Sequence, residues 1–301
     1  MDLIRELTDL VGQIPRGRVT TFHNLAAALG DPEATTAVFR ILRDTPMAGA
    51  HRVVRTSGEI PKASNGAKLR GEGIRVSRGF VPQPEAVSFR DFRSGQPLAR
   101  LRDEQRWLAK QVREADDFES AEYVAGFDLA YAGDQATAAA VVVRRSGGEV
   151  VQTVRAIVPV SFPYIPGYLA YREFPGIERC YELLDPKPDV LMIDGHGTLH
   201  PARFGIACYV GLSLDRPTIG VAKNLFVGDA GPVPRHPGGV AEIRVDGELR
   251  GYGLRTSRSR RLRYVSVGHR ISLATAVKLT KTMCKTRMTD PLGQAHSLAK
   301  I

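Results

Sequence analysis

The sequence predicts an α/β chain, a mixed sheet flanked by helices, preceded by a small helix-turn-helix, winged-helix-like domain. Three observations carry this reading. Residues up to about 92 hold short apolar stripes at helical spacing. Residues 82–97 mix Pro, Gly, Ser and charge without an apolar period and read as a seam. Beyond 97, strand-like and helical runs alternate, which calls for parallel strands. With 301 residues and 43% hydrophobic content, the chain can bury two cores. The expected domains are 1–92 and 97–301.

The elements follow in order. Leu3, Leu7, Leu10 and Val11 form the first stripe, and Thr21 is placed to cap a helix over 22–29. The Gly30-Asp31-Pro32 turn leads to a second helix over 34–43, the recognition helix of a helix-turn-helix. A helix over 97–115 opens the second domain. Runs at 123–131, 136–144 and 150–158 are close enough for an antiparallel meander. Helix 168–184, strand 190–194, helix 203–214 and strand 218–221 then alternate, giving a mixed sheet of five strands.

The formal net charge is +10, with excess base on both sides of residue 95. Nucleic acid is the usual partner of such a surface. Arg255, Arg258, Arg260, Arg261 and Arg263 crowd one segment before an apparent strand, as a phosphate-contacting face or as a strand edge protected by charge. Cys180, Cys208 and Cys284 are too widely spaced for a metal knuckle or a disulfide framework, which suits a reducing compartment. The longest apolar run, 136–143, is too short to span a bilayer. A cytoplasmic protein with no membrane partner is expected; the oligomeric state leaves no signature.

The chemistry concentrates in acids that end or interrupt apolar runs. Asp194 closes Val190-Leu191-Met192-Ile193 and opens onto Gly195-His196-Gly197, while Asp128 lies inside Val124-Ala125-Gly126-Phe127-Asp128-Leu129. An unpaired charge there costs several kcal/mol, roughly, so a cation should meet it. If the two strands are neighbours, a divalent ion between them would stabilise the pair. Glu173, Lys223 and His269 likewise follow apolar or glycine-bearing runs. Three carboxylates without a thiolate favour Mg2+, with Mn2+ able to substitute. Lys223 and His269 would hold the nucleophile or assist the leaving oxygen. His196 and His200 are four apart, but Gly197 and Pro201 argue for a loop, not a zinc-binding helix. In Pro163-Tyr164-Ile165-Pro166-Gly167, two prolines stiffen a tip suited either to enter a base stack or to pack on the core.

These motifs, with Arg172-Glu173-Phe174-Pro175, His200-Pro201, Gly220-Val221-Ala222-Lys223 and Gly268-His269-Arg270, occur in the order of a known family. From about 98 to 287 the chain resembles endonuclease V. The resemblance implies a ribonuclease H-like fold and a Mg2+-dependent nuclease acting on hypoxanthine in nucleic acid, nicking at the second phosphodiester 3′ to the lesion. It implies that Asp128, Glu173 and Asp194 are metal ligands or their close supports, that Lys223 and His269 assist catalysis, and that Pro163, Tyr164, Ile165 and Pro166, with Gly195 and His196, contact DNA. Asn224 and Cys208-Tyr209 depart from the family pattern and bear on the preference between DNA and RNA.

Residues 4–74 resemble the DNA-binding half of O6-alkylguanine-DNA alkyltransferase, through Ile14-Pro15-Arg16-Gly17-Arg18-Val19-Thr20-Thr21-Phe22, His51-Arg52-Val53-Val54, Ser57-Gly58 and Glu72-Gly73. The family's nucleophilic cysteine precedes His-Arg-Val; Ala50 stands there, as in the alkyltransferase-like proteins. Thr36 stands where the family carries an arginine that replaces the flipped base. Phe22, Thr36 and Arg52 are the DNA-contacting candidates of a module that binds but does not transfer, the alternative being a degenerate structural appendage. For the whole chain the expectation is a DNA repair endonuclease on damaged, deoxyinosine-containing DNA. The alternatives are an inosine-specific endoribonuclease and a non-catalytic lesion-binding protein.

Overall fold

A computed structural model describes residues 2–256, 261–284, 286 and 288–301. Arg258 and Arg260 of the basic run lie outside the described residues. The chain divides into two units, one running to residue 103 and including 162–166, the other comprising 104–161 and 167–301.

In the first unit, α1 (Leu3–Gly12) starts where the Asp2 carboxylate accepts from the N–H groups of Ile4 and Arg5, and buries the stripe Leu3, Leu7, Leu10 and Val11. The short β1 (Thr20–Thr21) leads into α2 (Phe22–Ala28), capped by the Thr21 hydroxyl accepting from Asn24 N–H at 3.0 Å. A 3-10 turn over Pro32–Ala34 separates it from α3 (Thr35–Asp44), so α2 and α3 form the helical pair expected there. Then β2 (Val53–Val54) pairs in parallel with β1, and α4 (Asn65–Gly71) follows.

Next, α5 (Pro97–Ala109) ends earlier than its apolar pattern suggests. The antiparallel meander is present as β3 (Tyr123–Ala132), β4 (Gln135–Arg144) and β5 (Val150–Pro159). After α6 (Leu169–Leu183), β6 (Val190–Ile193) lies parallel to β3; after α7 (Ile206–Leu214), β7 (Thr218–Ala222) lies parallel to β6.

The sheet is larger than the five strands expected. After β8 (Asp229–Ala230) come β9 (Val240–Val245), β10 (Glu248–Leu254) and β11 (Arg263–His269), giving nine strands among the described residues in the order β5-β4-β3-β6-β7-β11-β10-β9-β8. The unread signal is Asp246-Gly247, both at positive φ (53° and 80°), the requirement of a tight two-residue hairpin between β9 and β10. Two further helices, α8 (Leu273–Met283) and α9 (Pro291–Ala299), complete the second unit.

Alternation along β3 and β6 divides the core. Val124, Val190 and Met192 face Ala276, Leu279, Leu292 and Ala295 of α8 and α9. Ala125, Phe127, Leu191 and Ile193 face Ile177 and Cys180 of α6 and Val210 of α7. A Cβ on Gly126 would overlap the backbone of Pro291 and Leu292, so the start of α9 lies directly on β3.

Candidate metal centre

Register brings the two aspartates together. Phe127 pairs with Ile193 in the parallel β3–β6 ladder, so Asp128, within β3, and Asp194, just past the end of β6, lie side by side. Asp128 Oδ1 accepts from Leu129 N–H at 2.9 Å. Its Oδ2 lies 2.5 Å from His296 Nδ1, on α9. Asp194 accepts from the Lys223 ammonium, placed one residue beyond β7. Ligand atoms of Asp128, Asp194 and His296 lie within 4.8 Å of one another. A cavity of about 150 Å3 adjoins them, lined by Asp194, Lys223, Arg263, Leu292, Gly293 and His296 among others.

Burial and the neighbouring Asp128 charge push the Asp194 carboxyl above the usual range, against the pull of Lys223. Burial opposes charge on Lys223, yet its bond to Asp194 holds the ammonium above its ordinary pKa. Glu173, on α6, accepts from Tyr131 Oη at 2.7 Å. Withdrawal from water pushes its carboxyl up to about 7, helped by the charges of Asp128 and Asp194 and opposed by the Tyr131 bond. Two crowded carboxylates and an imidazole form a donor set that suits a small hard cation, and repulsion between the acids is what such an ion would relieve.

The structure brings Asp128, Asp194 and Lys223 together but revises the rest of the expected constellation. Glu173 is close enough to feel both aspartates, yet its oxygens are not in the 4.8 Å cluster; His296 takes the third place. His269 does not join. Because β11 runs antiparallel to β7, His269 pairs with Thr218 at the start of that strand, whereas Tyr264 pairs with Ala222 beside Lys223. Four residues of strand separate the two ends, roughly 13 Å. There His269 Nδ1 accepts from Arg113 N–H at 3.3 Å, and burial lowers its pKa. Arg263, at the near end of β11, is the residue that this strand contributes to the cavity.

Gly195 and His196 follow Asp194 directly. The His196 ring packs beside Phe226 at 5.8 Å, burial lowers its pKa to about 4, and its buried Nδ1 has no hydrogen-bond partner among the described residues. Cys208 is fully buried and Tyr209 packs against Phe174 and Tyr171.

In the first unit, Tyr164 is 54% exposed while Ile165 is buried, so of the apolar pair only Tyr164 is presented to solvent, between Pro163 and Pro166. Thr36 is exposed on α3. Phe22 is buried edge-to-face against Phe39, and the Arg52 guanidinium is spent on Glu72 and on Ile14 O, so neither is free to contact DNA as expected. Arg52 holds the Glu72 carboxyl down at about 2, assisted by His51. Ala50 lines a cavity of about 620 Å3 with Phe22, Phe39, Met47, His51 and Lys62.

Carboxylates gathered on adjacent strands, with a lysine at hand, are the equipment of a phosphodiester-cleaving enzyme. The chain is an endonuclease by fold and by relationship. It belongs to the endonuclease V family, whose model matches residues 106–297; residues 2–75 match the 6-O-methylguanine DNA methyltransferase DNA-binding domain. It is 42% identical to endonuclease V of Thermofilum pendens over 67% of this chain and 87% of that protein. It is 32% identical to a bifunctional methyltransferase/endonuclease of Picrophilus torridus over 98% of this chain and 95% of the relative, so the two-part organisation is shared. A crystal structure of Ciona intestinalis endonuclease V, in complex with a DNA containing an inosine followed by a ribo-adenosine, superimposes with TM-score 0.61 at 29% identity, covering 67% of this chain and 96% of that one.

Proposed function

We propose that this endonuclease is a Mg2+-dependent DNA repair enzyme that nicks deoxyinosine-containing DNA at the second phosphodiester 3′ to the lesion. The observation that carries the proposal is the convergence of Asp128, Asp194 and His296 beside Lys223. The inosine-bearing DNA in the Ciona complex supports the substrate class. Asp128, Asp194 and His296 would hold the cation, which when bound supplies an activated water and neutralises charge developing on the phosphate. The Lys223 ammonium stands to stabilise the departing oxygen. Glu173, with its carboxyl near 7 and its bond from Tyr131, is matched to exchange a proton close to neutral pH. Tyr164 is the exposed side chain suited to separate bases.

The N-terminal unit binds DNA and transfers no alkyl group, since Ala50 offers no thiolate and the three cysteines are buried in the other unit. Free cysteines also suit a reducing, cytoplasmic setting. No helix among the described residues is long and apolar enough to cross a membrane.

A labelled deoxyinosine duplex and a single-stranded inosine RNA, each with and without Mg2+, test the reading. Mg2+-dependent nicking of the duplex one nucleotide beyond the lesion is expected; cleavage of the RNA alone would transfer the activity to RNA.

A further inference from the structure

His296 is 41% exposed at its side chain, so its own packing does not fix where the imidazole goes; the placement of α9 does. That helix is held at its start on two sides. Pro291 and Leu292 rest backbone-to-backbone on Gly126, two residues before Asp128 in β3. On the other side Asp290, 6% exposed, is gripped by Arg263 from the start of β11: Nη1 donates to Oδ1 at 3.1 Å and Nη2 to Oδ2 at 2.5 Å. The same Oδ1 caps α9, accepting from Gly293 N–H at 3.1 Å. Cys284 Sγ closes the group, 3.2 Å from Arg263 Nη1 and 3.5 Å from Asp290 Oδ1.

Apolar burial of Leu292 and Ala295 keeps α9 on the sheet but is non-directional, so it sets neither the slide nor the rotation of the helix. A bidentate arginine–carboxylate fork sets both. The fork joins β11 to the N-cap, and the cap lies six residues before His296.

We propose that Arg263 is a positioning residue of the metal centre, acting through Asp290 to fix α9 so that His296 is delivered to Asp128. The inference rests on the reading of Asp128, Asp194 and His296 as a cation site. Arg263 also faces that site, and this gives the test a sign. If its charge acted directly, removing it would tighten cation binding, because a positive neighbour of Asp194 and Lys223 would be gone. If it positions His296, removing it weakens binding despite that gain.

The experiment is a titration of the full chain with Mn2+ alone, followed by electron paramagnetic resonance, for wild type, Arg263→Met, Asp290→Asn, His296→Ala and the doubles with His296→Ala. Asparagine caps helices as well as aspartate, so Asp290→Asn removes the fork's charge while keeping the cap. Arg263→Met and Asp290→Asn are each expected to weaken Mn2+ binding about tenfold, the range of lost outer partners at metal sites. In the His296→Ala background neither should weaken it further. Tighter or unchanged binding in Arg263→Met, or losses that add to that of His296→Ala, would overturn the proposal. Should Arg263→Met not fold, Asp290→Asn and its double decide in the same way. Absence of Mn2+ binding by wild type would instead refute the cation site, and the inference with it.

Discussion

His296 Nδ1 meets Asp128 Oδ2 at 2.5 Å across 168 residues of sequence. The contact joins a helix near the C-terminal end of the second unit to its first strand. Removing either aspartate removes a like-charge neighbour as well as a ligand, so it should cost chemistry more than it costs the fold. Asp128→Ala and Asp194→Ala are each expected to lower Mg2+-dependent nicking more than a hundredfold, about 3 kcal/mol or more of lost transition-state stabilisation. Without metal their melting temperatures should equal or exceed that of wild type, since like-charge repulsion is relieved. Nicking above a few per cent of wild type in either variant would sink the ligand assignment.

Glu173 makes the metal-free protein pH-sensitive. Its folded carboxyl sits near 7, above the ordinary 4.5, so the folded state holds the proton more tightly than the unfolded chain. Its contribution to stability is full below about 4.5 and is lost as pH rises through 7, at most about 3 kcal/mol. Denaturant melts of metal-free protein at pH 5 and 8 should show this loss, and Glu173→Gln should remove most of it. An equal pH dependence in that variant would place the titrating group elsewhere.

Tyr164→Ala should slow nicking of an inosine-containing duplex far more than nicking of the same lesion in a single strand. Unstacking a base step costs a few kcal/mol, about what an inserted ring must repay. Equal losses on both substrates would make the loop a packing element.

The N-terminal unit should take up no label from DNA carrying radiolabelled O6-methylguanine. His51 and Glu72 remain paired at 2.9 Å beside the cavity that Ala50 lines, so Ala50→Cys would set a thiol next to an intact histidine–carboxylate pair. Labelling of Ala50→Cys but not of wild type is expected. Labelling of wild type would require a nucleophile other than residue 50.

Asp128 and Asp194 were legible because an acid within or ending an apolar run has few structural uses, and parallel pairing brings the two runs into line. His269 follows an apolar run in the same manner and misleads, because β11 runs the other way; strand direction is not written in a single run. His296 carries no local signal of its role. The start of its helix could have been read from Asp290-Pro291, an N-cap followed by proline at the first helical position, but the fact that this helix lands on Gly126 is a property of the packed sheet. Likewise Arg52 was a DNA-contacting candidate from sequence, and only packing shows it committed to Glu72. The second hairpin could have been read from Asp246-Gly247.

The bare backbone contact at Gly126 makes completion of the centre a matter of docking. The imidazole that joins the two aspartates arrives on one nine-residue helix, α9, pressed onto β3 where no side chain intervenes. Such a helix can lift while the sheet beneath it stays intact, at a fraction of the free energy of global unfolding. On heating, then, the nuclease should fall silent before it melts, losing His296 from the cluster while β3 and β6 still hold their two aspartates side by side.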